Sequence, residues 1–312
     1  GLVGTLLLSQ ALAQTYPNRD INFIVPYGPG GSTDPISRQF ASQLEQALKV
    51  NVSVENKPGG SATIGTAAVI RAKPDGYTIG LGTSSQLVMN IGLYKTLPFD
   101  VERDLRSVGL VSRTPLVLVA SNTMPKTLKG LIAHARTNPG KVTYGSGGPG
   151  SISHIAAEAF AKAADISLLH VPYKGTAPAL ADLAGGQVDV FFDNLSSSAA
   201  LQKGGKIRIL AVADTKRSHA LPNVPSFNEA GISGMVAVTW FAAVAPSGTP
   251  QSVVQTLNAA IVEALRMPDV QQRFAEQGAE VVANTPEQMG RFVRDEAAKW
   301  QKVIRDSSVT VD

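Results

Sequence analysis

Apolar residues along this chain come in two rhythms. Short, largely β-branched runs mark strands, and longer stretches with apolar positions three and four apart mark amphipathic helices. Residues 21–25 read as a strand. Ile36, Phe40 and Leu44 follow at a spacing of four, with Ala41 and Leu48 on the same face, so a helix opens there. Asp34 suits its N-cap and Pro35 its first turn. Further strands are predicted at 50–54, 77–81, 108–111, 116–120, 141–144, 168–171, 188–192, 207–212 and 236–244. Helices are predicted at 63–72, 128–135, 152–164, 253–267, 270–277 and 287–305. This alternation predicts α/β domains with largely parallel sheets. A length of 312 residues suits two domains of ordinary size.

The pattern contains an internal echo. Val25-Pro26-Tyr27-Gly28-Pro29-Gly30-Gly31 recurs as Val142-Thr143-Tyr144-Gly145-Ser146-Gly147-Gly148. Each copy follows a strand and precedes a helix. A glycine-rich turn feeding a helix start favours an anion, because the first N–H groups of a helix lack internal partners and the helix dipole is positive there. In open α/β sheets ligands sit beyond the carboxyl ends of the strands. The two turns therefore predict a small anion held by backbone amides and hydroxyls. Ser32, Thr33, Thr83, Ser84, Ser151 and Ser153 are the candidate hydroxyls. Asp193 ends an apolar run, where a carboxylate either meets an amine or hydroxyl of a ligand or caps the following helix. Tyr27, Tyr144 and Tyr173 are placed on loops lining the cleft.

Composition narrows the classes. Hydrophobic residues make up 44% of the chain and charged residues 17%, which allows a filled core. The net charge of +4 is spread out, with no basic block or stripe of the kind a nucleic-acid partner needs. There is no cysteine, hence no disulfide, thiolate metal site or cysteine nucleophile. Residues 1–13 combine the apolar run Leu6-Leu7-Leu8 with the small-x-small pattern Ala11-Leu12-Ala13, as at the end of a secretory leader. Export with cleavage near Ala13 is the expectation, and no later segment is long and apolar enough to span a membrane.

Enzyme signatures are sparse. There is no Gly-x-Ser-x-Gly elbow, no His-Glu-x-x-His pair and no phosphate-binding Gly-Lys-Ser/Thr loop. Position 33, where a dinucleotide fingerprint needs its third glycine, is Thr33. The four histidines, His134, His154, His170 and His219, do not share a metal-binding helical spacing. One enzymatic alternative stays open on sequence: Ser151 or Ser153 as nucleophile with His154 as base, in an exported hydrolase or acyl-transfer enzyme.

Taken in order, several motifs resemble the substrate-binding receptors of tripartite tricarboxylate transporters, the Bug-type proteins. They are the 25–34 segment with Arg38, Glu55-Asn-Lys-Pro-Gly-Gly60, Pro74-Asp-Gly-Tyr-Thr78 and Tyr144-Gly-Ser-Gly-Gly148. His170-Val-Pro-Tyr-Lys-Gly175, Gly186-Gln-Val-Asp189, Pro222-Asn-Val-Pro-Ser226, Glu229-Ala-Gly231 and Ala245-Pro-Ser-Gly-Thr-Pro250 complete the set. The resemblance implies a two-lobed, type II periplasmic-binding-protein fold with the ligand cleft between the lobes. It implies residues 14–113 plus 226–312 in lobe 1 and residues 114–225 in lobe 2. Catalysis, cofactor and metal are not expected. The implied ligand is a small organic carboxylate, an amino acid or an aromatic acid among them. The implied partners are the membrane subunits of a secondary transporter, and the receptor is expected to be a periplasmic monomer. The ligand would lie among Tyr27, Gly28, Pro29, Gly30, Gly31, Ser32 and Thr33 on one side. Ser146, Gly150, Ser151, Ser153, His154 and Tyr173 would face them, with Thr83, Ser84, Ser85 and Asp193 beside. The lobes would swing about Arg113-Thr114-Pro115 and a second crossing within 222–236.

Overall fold

The structure is a computed structural model of the chain and describes residues 16–29, 33–60, 62–307 and 309. The predicted leader and the turn residues Gly30, Gly31 and Ser32 lie outside the described residues.

Strand β1 (Ile21–Val25) leads to helix α1 (Thr33–Leu48), β2 (Val52–Asn56), α2 (Thr63–Ile70) and β3 (Thr78–Thr83). A π-helical turn (Ser85–Met89) and two one-turn helices, α3 (Asn90–Leu93) and α4 (Val101–Asp104), bring the chain to β4 (Leu105–Ser121). Then follow α5 (Leu128–Thr137), β5 (Thr143–Ser146), α6 (Ile152–Ala164), β6 (Leu169–Pro172) and α7 (Thr176–Ala184). Next come β7 (Val190–Asn194), α8 (Leu195–Lys203), β8 (Ile207–Val212) and β9 (Val238–Pro246). The chain ends with α9 (Gln251–Arg266), α10 (Pro268–Glu276), β10 (Glu280–Val281) and α11 (Pro286–Ser307).

The predicted strands 108–111 and 116–120 are one strand, β4, shared by two sheets. Its first part, up to Pro115, pairs antiparallel with β9, and its second part, from Leu116, pairs antiparallel with β7. Pro115 sits at the handover, at the end of the β9 ladder, where a residue without an N–H is tolerated. The first sheet runs β2-β1-β3-β9-β4, with β2, β1 and β3 parallel and β9 antiparallel to β3. The second runs β6-β5-β7-β4-β8, with β6, β5 and β7 parallel and β4 antiparallel to β7. The two sheets thus have the same order, β5 standing to the second as β1 stands to the first. The first copy of the echo leaves the end of β1, whereas the second copy runs through β5 itself and into the turn after it.

Three clusters of buried side chains fill the molecule. One lies between the first sheet and helices α1, α9 and α10, around Phe23, Phe40, Leu44 and Phe274. Another lies under α7 and α8, around Leu183, Phe191 and Leu195. The third is continuous across both sheets, from Val88 and Trp240 through Leu116 to Phe160, Phe192 and Phe227. Helix α11 adds Trp300 and Ile304 to it and packs against both the π-turn and α6.

Polar contacts cross beside the strand handover as well. Arg113 reaches Asp214 at 2.7 Å and Glu280 at 3.1 Å, tying β4 both to the segment after β8 and to β10. Gly278, at φ 72°, lies so close to α8 that a β-carbon there would stand 2.6 Å from Leu195 Cδ2.

Candidate functional site

The first glycine turn is fastened from behind. Asn56, at the end of β2, donates from Nδ2 to the Tyr27 carbonyl at 3.0 Å and to Asp34 Oδ1 at 3.1 Å. Arg38 donates to the other Asp34 oxygen at 3.1 Å and to Asn56 Oδ1 at 3.1 Å. Helix α1 begins at Thr33, so Asp34 is a first-turn residue rather than the predicted N-cap, and its carboxylate locks the turn to β2. Asn56 was among the motif residues without a predicted role. A polar residue closing a strand beside a glycine turn is the signal that points to it.

Tyr27 is half-buried, and its hydroxyl lies 2.6 Å from Thr83 Oγ1. Burial pushes its phenol up to about 12, opposed by the hydroxyls of Thr83 and Ser85, so it stays neutral and can donate. The predicted loop after β3 continues directly into the π-turn, with Ser84 buried and Ser85 half-buried. Gln86, which sequence reasoning passed over, holds this corner. Its amide donates to Leu81 O at 2.9 Å and Thr66 Oγ1 at 3.1 Å, while Thr83 donates to its Oε1 at 3.3 Å. A lone glutamine before Leu87-Val88-Met89 was the available signal. Gly28 has open space where a side chain would project, and Pro29 is exposed.

The second turn is knitted more tightly than an amide-lined anion site requires. Gly147 N donates to Ser153 Oγ at 3.0 Å, Gly148 N to Ser146 Oγ at 3.2 Å, and Gly150 N to His154 Nδ1 at 3.0 Å. Ser151 N donates to Gly148 O at 3.1 Å. Gly148 and Gly150 have φ of 128° and 74°, values that fit glycine. These four amides are therefore satisfied within the turn. Its hydroxyls are tied in as well: Ser151 Oγ lies 2.9 Å from Ser153 Oγ, and the buried Ser146 Oγ lies 2.7 Å from His170 Nε2.

His154 is buried and stacks on His170 with ring centroids 4.0 Å apart, and His170 stacks on Tyr144 at 4.8 Å. Burial, and secondarily the neighbouring His170, lower His154 to about 4, and burial lowers His170 too. His154 is thus a neutral ring whose Nδ1 accepts from Gly150. Neither serine bonds to the imidazole. Ser151 Oγ donates to Gly148 O at 2.7 Å and, as N-cap of α6, accepts from His154 N at 3.4 Å. The nucleophile-and-base arrangement that the alternative needs is not formed. Tyr144, expected on a loop, is a fully buried strand residue whose hydroxyl bonds Glu158. Tyr173 is half-buried, and its hydroxyl donates to Asp182 on α7 at 2.7 Å.

Asp193 and Asn194 end β7, the counterpart of β3, which ends at Thr83. Asp193 is buried, and its Oδ2 accepts from Ser197 at 2.7 Å and from Ser198. Burial raises it to about 6 against the pull of those hydroxyls. Asn194, beside it, accepts from Thr239 on β9 at 2.6 Å. The described contacts of the Tyr27–Thr83 corner and of the Ser146–His154 turn stay within each sheet. Three cavities of about 400, 550 and 260 Å3 lie elsewhere, lined by none of the predicted residues. Among the described residues no His, Cys, Asp or Glu cluster could hold a metal ion, and no helix is long and apolar enough to cross a membrane.

Two sheets of equal order, joined by the shared strand β4 and each carrying a polar turn at its carboxyl edge, define a two-lobed solute-binding architecture. Residues 36–309 match the family described as the tripartite tricarboxylate transporter family receptor. The chain is 39% identical to protein BugT of Bordetella pertussis, over 95% of this chain and 91% of that protein. It resembles the structure of R. palustris Rpa4515 with adipate, at 34% identity and a TM-score of 0.88, covering 95% of this chain and 99% of that one. It also resembles MatC of Rhodopseudomonas palustris with bound malate, at 29% identity and a TM-score of 0.83, covering 93% and 100%. The chain belongs to the tripartite tricarboxylate transporter receptor family, a family of solute-binding receptors and not of enzymes.

Proposed function

We propose that this chain is a periplasmic receptor that takes a small organic carboxylate between its two sheets and delivers it to the membrane subunits of a tripartite tricarboxylate-type transporter. The observation that carries the reading is the placement of the two echoed turns at the ends of equivalent strands, β1 and β5, in sheets that share β4. Adipate and malate in two relatives support a carboxylate. On this reading the neutral Tyr27 hydroxyl and the Thr83–Ser85 corner meet the ligand from one lobe. The Ser146, Ser151 and Ser153 hydroxyls meet it from the other, and Asp193 stands at its far end.

Residues 14–113 and 226–312 then form one lobe and 114–225 the other, and closure occurs about Arg113-Thr114-Pro115 and a second crossing within 222–236. The receptor works as a monomer. The test is thermal unfolding of refolded, ligand-free protein against a panel of mono-, di- and tricarboxylates, amino acids and aromatic acids. A ligand at about a hundredfold its dissociation constant adds ~2.7 kcal/mol, a rise of about 4 °C at this size. A selective rise is expected, and a flat panel with folding confirmed contradicts the reading.

A further inference from the structure

The positive charge of this protein is not spread evenly over its fold. Residues 121–157 contain no Asp or Glu, and neither do residues 194–213. The fold lays these two stretches side by side. Asn122 Nδ2 donates to Gly205 O at 2.7 Å, and Arg208 donates to Met124 O at 3.2 Å. Lys126, Lys129, Lys203 and Lys206 are exposed around this junction, and with Arg208 they form no ion pair among the described residues. The nearby carboxylate of Asp189 is turned inward, accepting from Thr143 N at 2.8 Å and Thr143 Oγ1 at 2.9 Å.

The junction is also hollow. A cavity of about 550 Å3 is lined by Asn122, Lys126, Gln202, Gly205, Arg208 and Ile209, among others. It runs along β8, which pairs with β4 on one side. On the other side β8 pairs with no strand among the described residues, apart from a single bridge between Val212 and Ser226 at its far end. The buried Gln202 Oε1, in the cavity wall, has no hydrogen-bond partner. Such a strand edge offers backbone donors and acceptors to an added strand.

We infer that this groove is a docking surface for an extended, acidic segment of a partner protein. Charge complementarity chooses the sign of the partner, since these five cations form no ion pair among the described residues. The strand edge and the unpartnered Gln202 Oε1 choose a polypeptide over a lipid surface, because both ask for directional hydrogen bonds. The exposed large apolar side chains among the described residues, Ile64 and Leu169, lie outside the patch, so it has no wedge to insert into a bilayer. The inference goes beyond the carboxylate reading and is independent of what the cleft binds.

The test uses the whole chain and a blocked, eight-residue peptide alternating glutamate and threonine, followed by amide chemical shifts. The control peptide carries lysine for glutamate. Saturable binding is expected, with shifts confined to Asn122–Lys126 and Gly205–Ile209 and weakening as salt is raised. The variant K126E/K203E/K206E should lose at least about tenfold in affinity while keeping its unfolding midpoint. Arg208 is left in place because it also holds Met124. Absence of saturable binding, equal binding of the lysine peptide, or an unaffected triple variant would overturn the inference. So would binding to phosphatidylglycerol vesicles without binding to the acidic peptide, which would mark a membrane-facing patch instead.

Discussion

Gly150 donates its backbone N–H to Nδ1 of His154 at 3.0 Å, and this one bond makes the shape of the second turn depend on a neutral imidazole. Protonation at Nδ1 would remove the acceptor and place a cation 4.0 Å from the His170 ring. His154 has a folded-state value of about 4, below the ordinary 6.5. Between these values the unfolded chain binds more protons, so stability is highest above the unfolded value and falls as pH drops from 6.5 toward 4. His154→Asn keeps an acceptor near the same place and should flatten this acid loss. His154→Ala should lower the midpoint at neutral pH by roughly 5 °C, through a lost hydrogen bond and a cavity. Unfolding midpoints from pH 7.5 to 4.5 check both.

Asp193 acts in the opposite direction within an overlapping window. Its folded-state value of about 6 lies above the ordinary 3.8, so the native state binds more protons in between and gains stability as pH falls. Asp193→Asn should therefore show a steeper acid loss than the unaltered protein, with no loss at pH 7.5. On the proposed reading it also lifts repulsion against a second ligand carboxylate, so dicarboxylates should gain affinity relative to monocarboxylates. An unchanged ligand order in calorimetry would remove Asp193 from the site and leave it as an anchor of α8.

Gly278 and Leu195 form a close contact between α10–β10 and α8. The positive φ of 72° alone makes alanine unfavourable, and a β-carbon would also meet Leu195 Cβ at 3.1 Å. Gly278→Ala should cost about 2 kcal/mol, measured by denaturant unfolding. In the double variant with Leu195→Ala the steric part should be relieved and the backbone part should remain, a favourable coupling readable from the cycle. Strict additivity would mean that the two residues do not press on each other.

The order of strands and helices was legible because the apolar runs at β1, β7 and β8 are short, rich in β-branched or aromatic residues and bounded by turns. The echo of Val25–Gly31 in Val142–Gly148 marked one glycine-rich turn in each half of the chain, and the equivalence of β1 and β5 emerged only from the sheet orders. The single long β4 was not legible, since Arg113-Thr114-Pro115 reads locally as a break and only the partner strands on either side reveal continuity. The internal use of the second turn was hidden for the same reason. Nothing in the spacing of Gly147, Gly150, Ser153 and His154 says that their amides and side chains satisfy one another. Tyr144 misled because an aromatic residue before a glycine run looks like a rim residue, whereas stacking on His170 and bonding to Glu158 draw it into the core.

The most direct test of the account is calorimetric titration of refolded protein with the best-binding carboxylate, repeated on Thr83→Val and on Ser153→Ala. Thr83 ends β3 of the first sheet, and Ser153 lies at the start of α6, after β5 of the second. If both sheets hold the same carboxylate, each variant should weaken binding about tenfold or more while remaining folded. Binding unchanged by either substitution, or no binding of any carboxylate, would contradict a ligand held between the two turns.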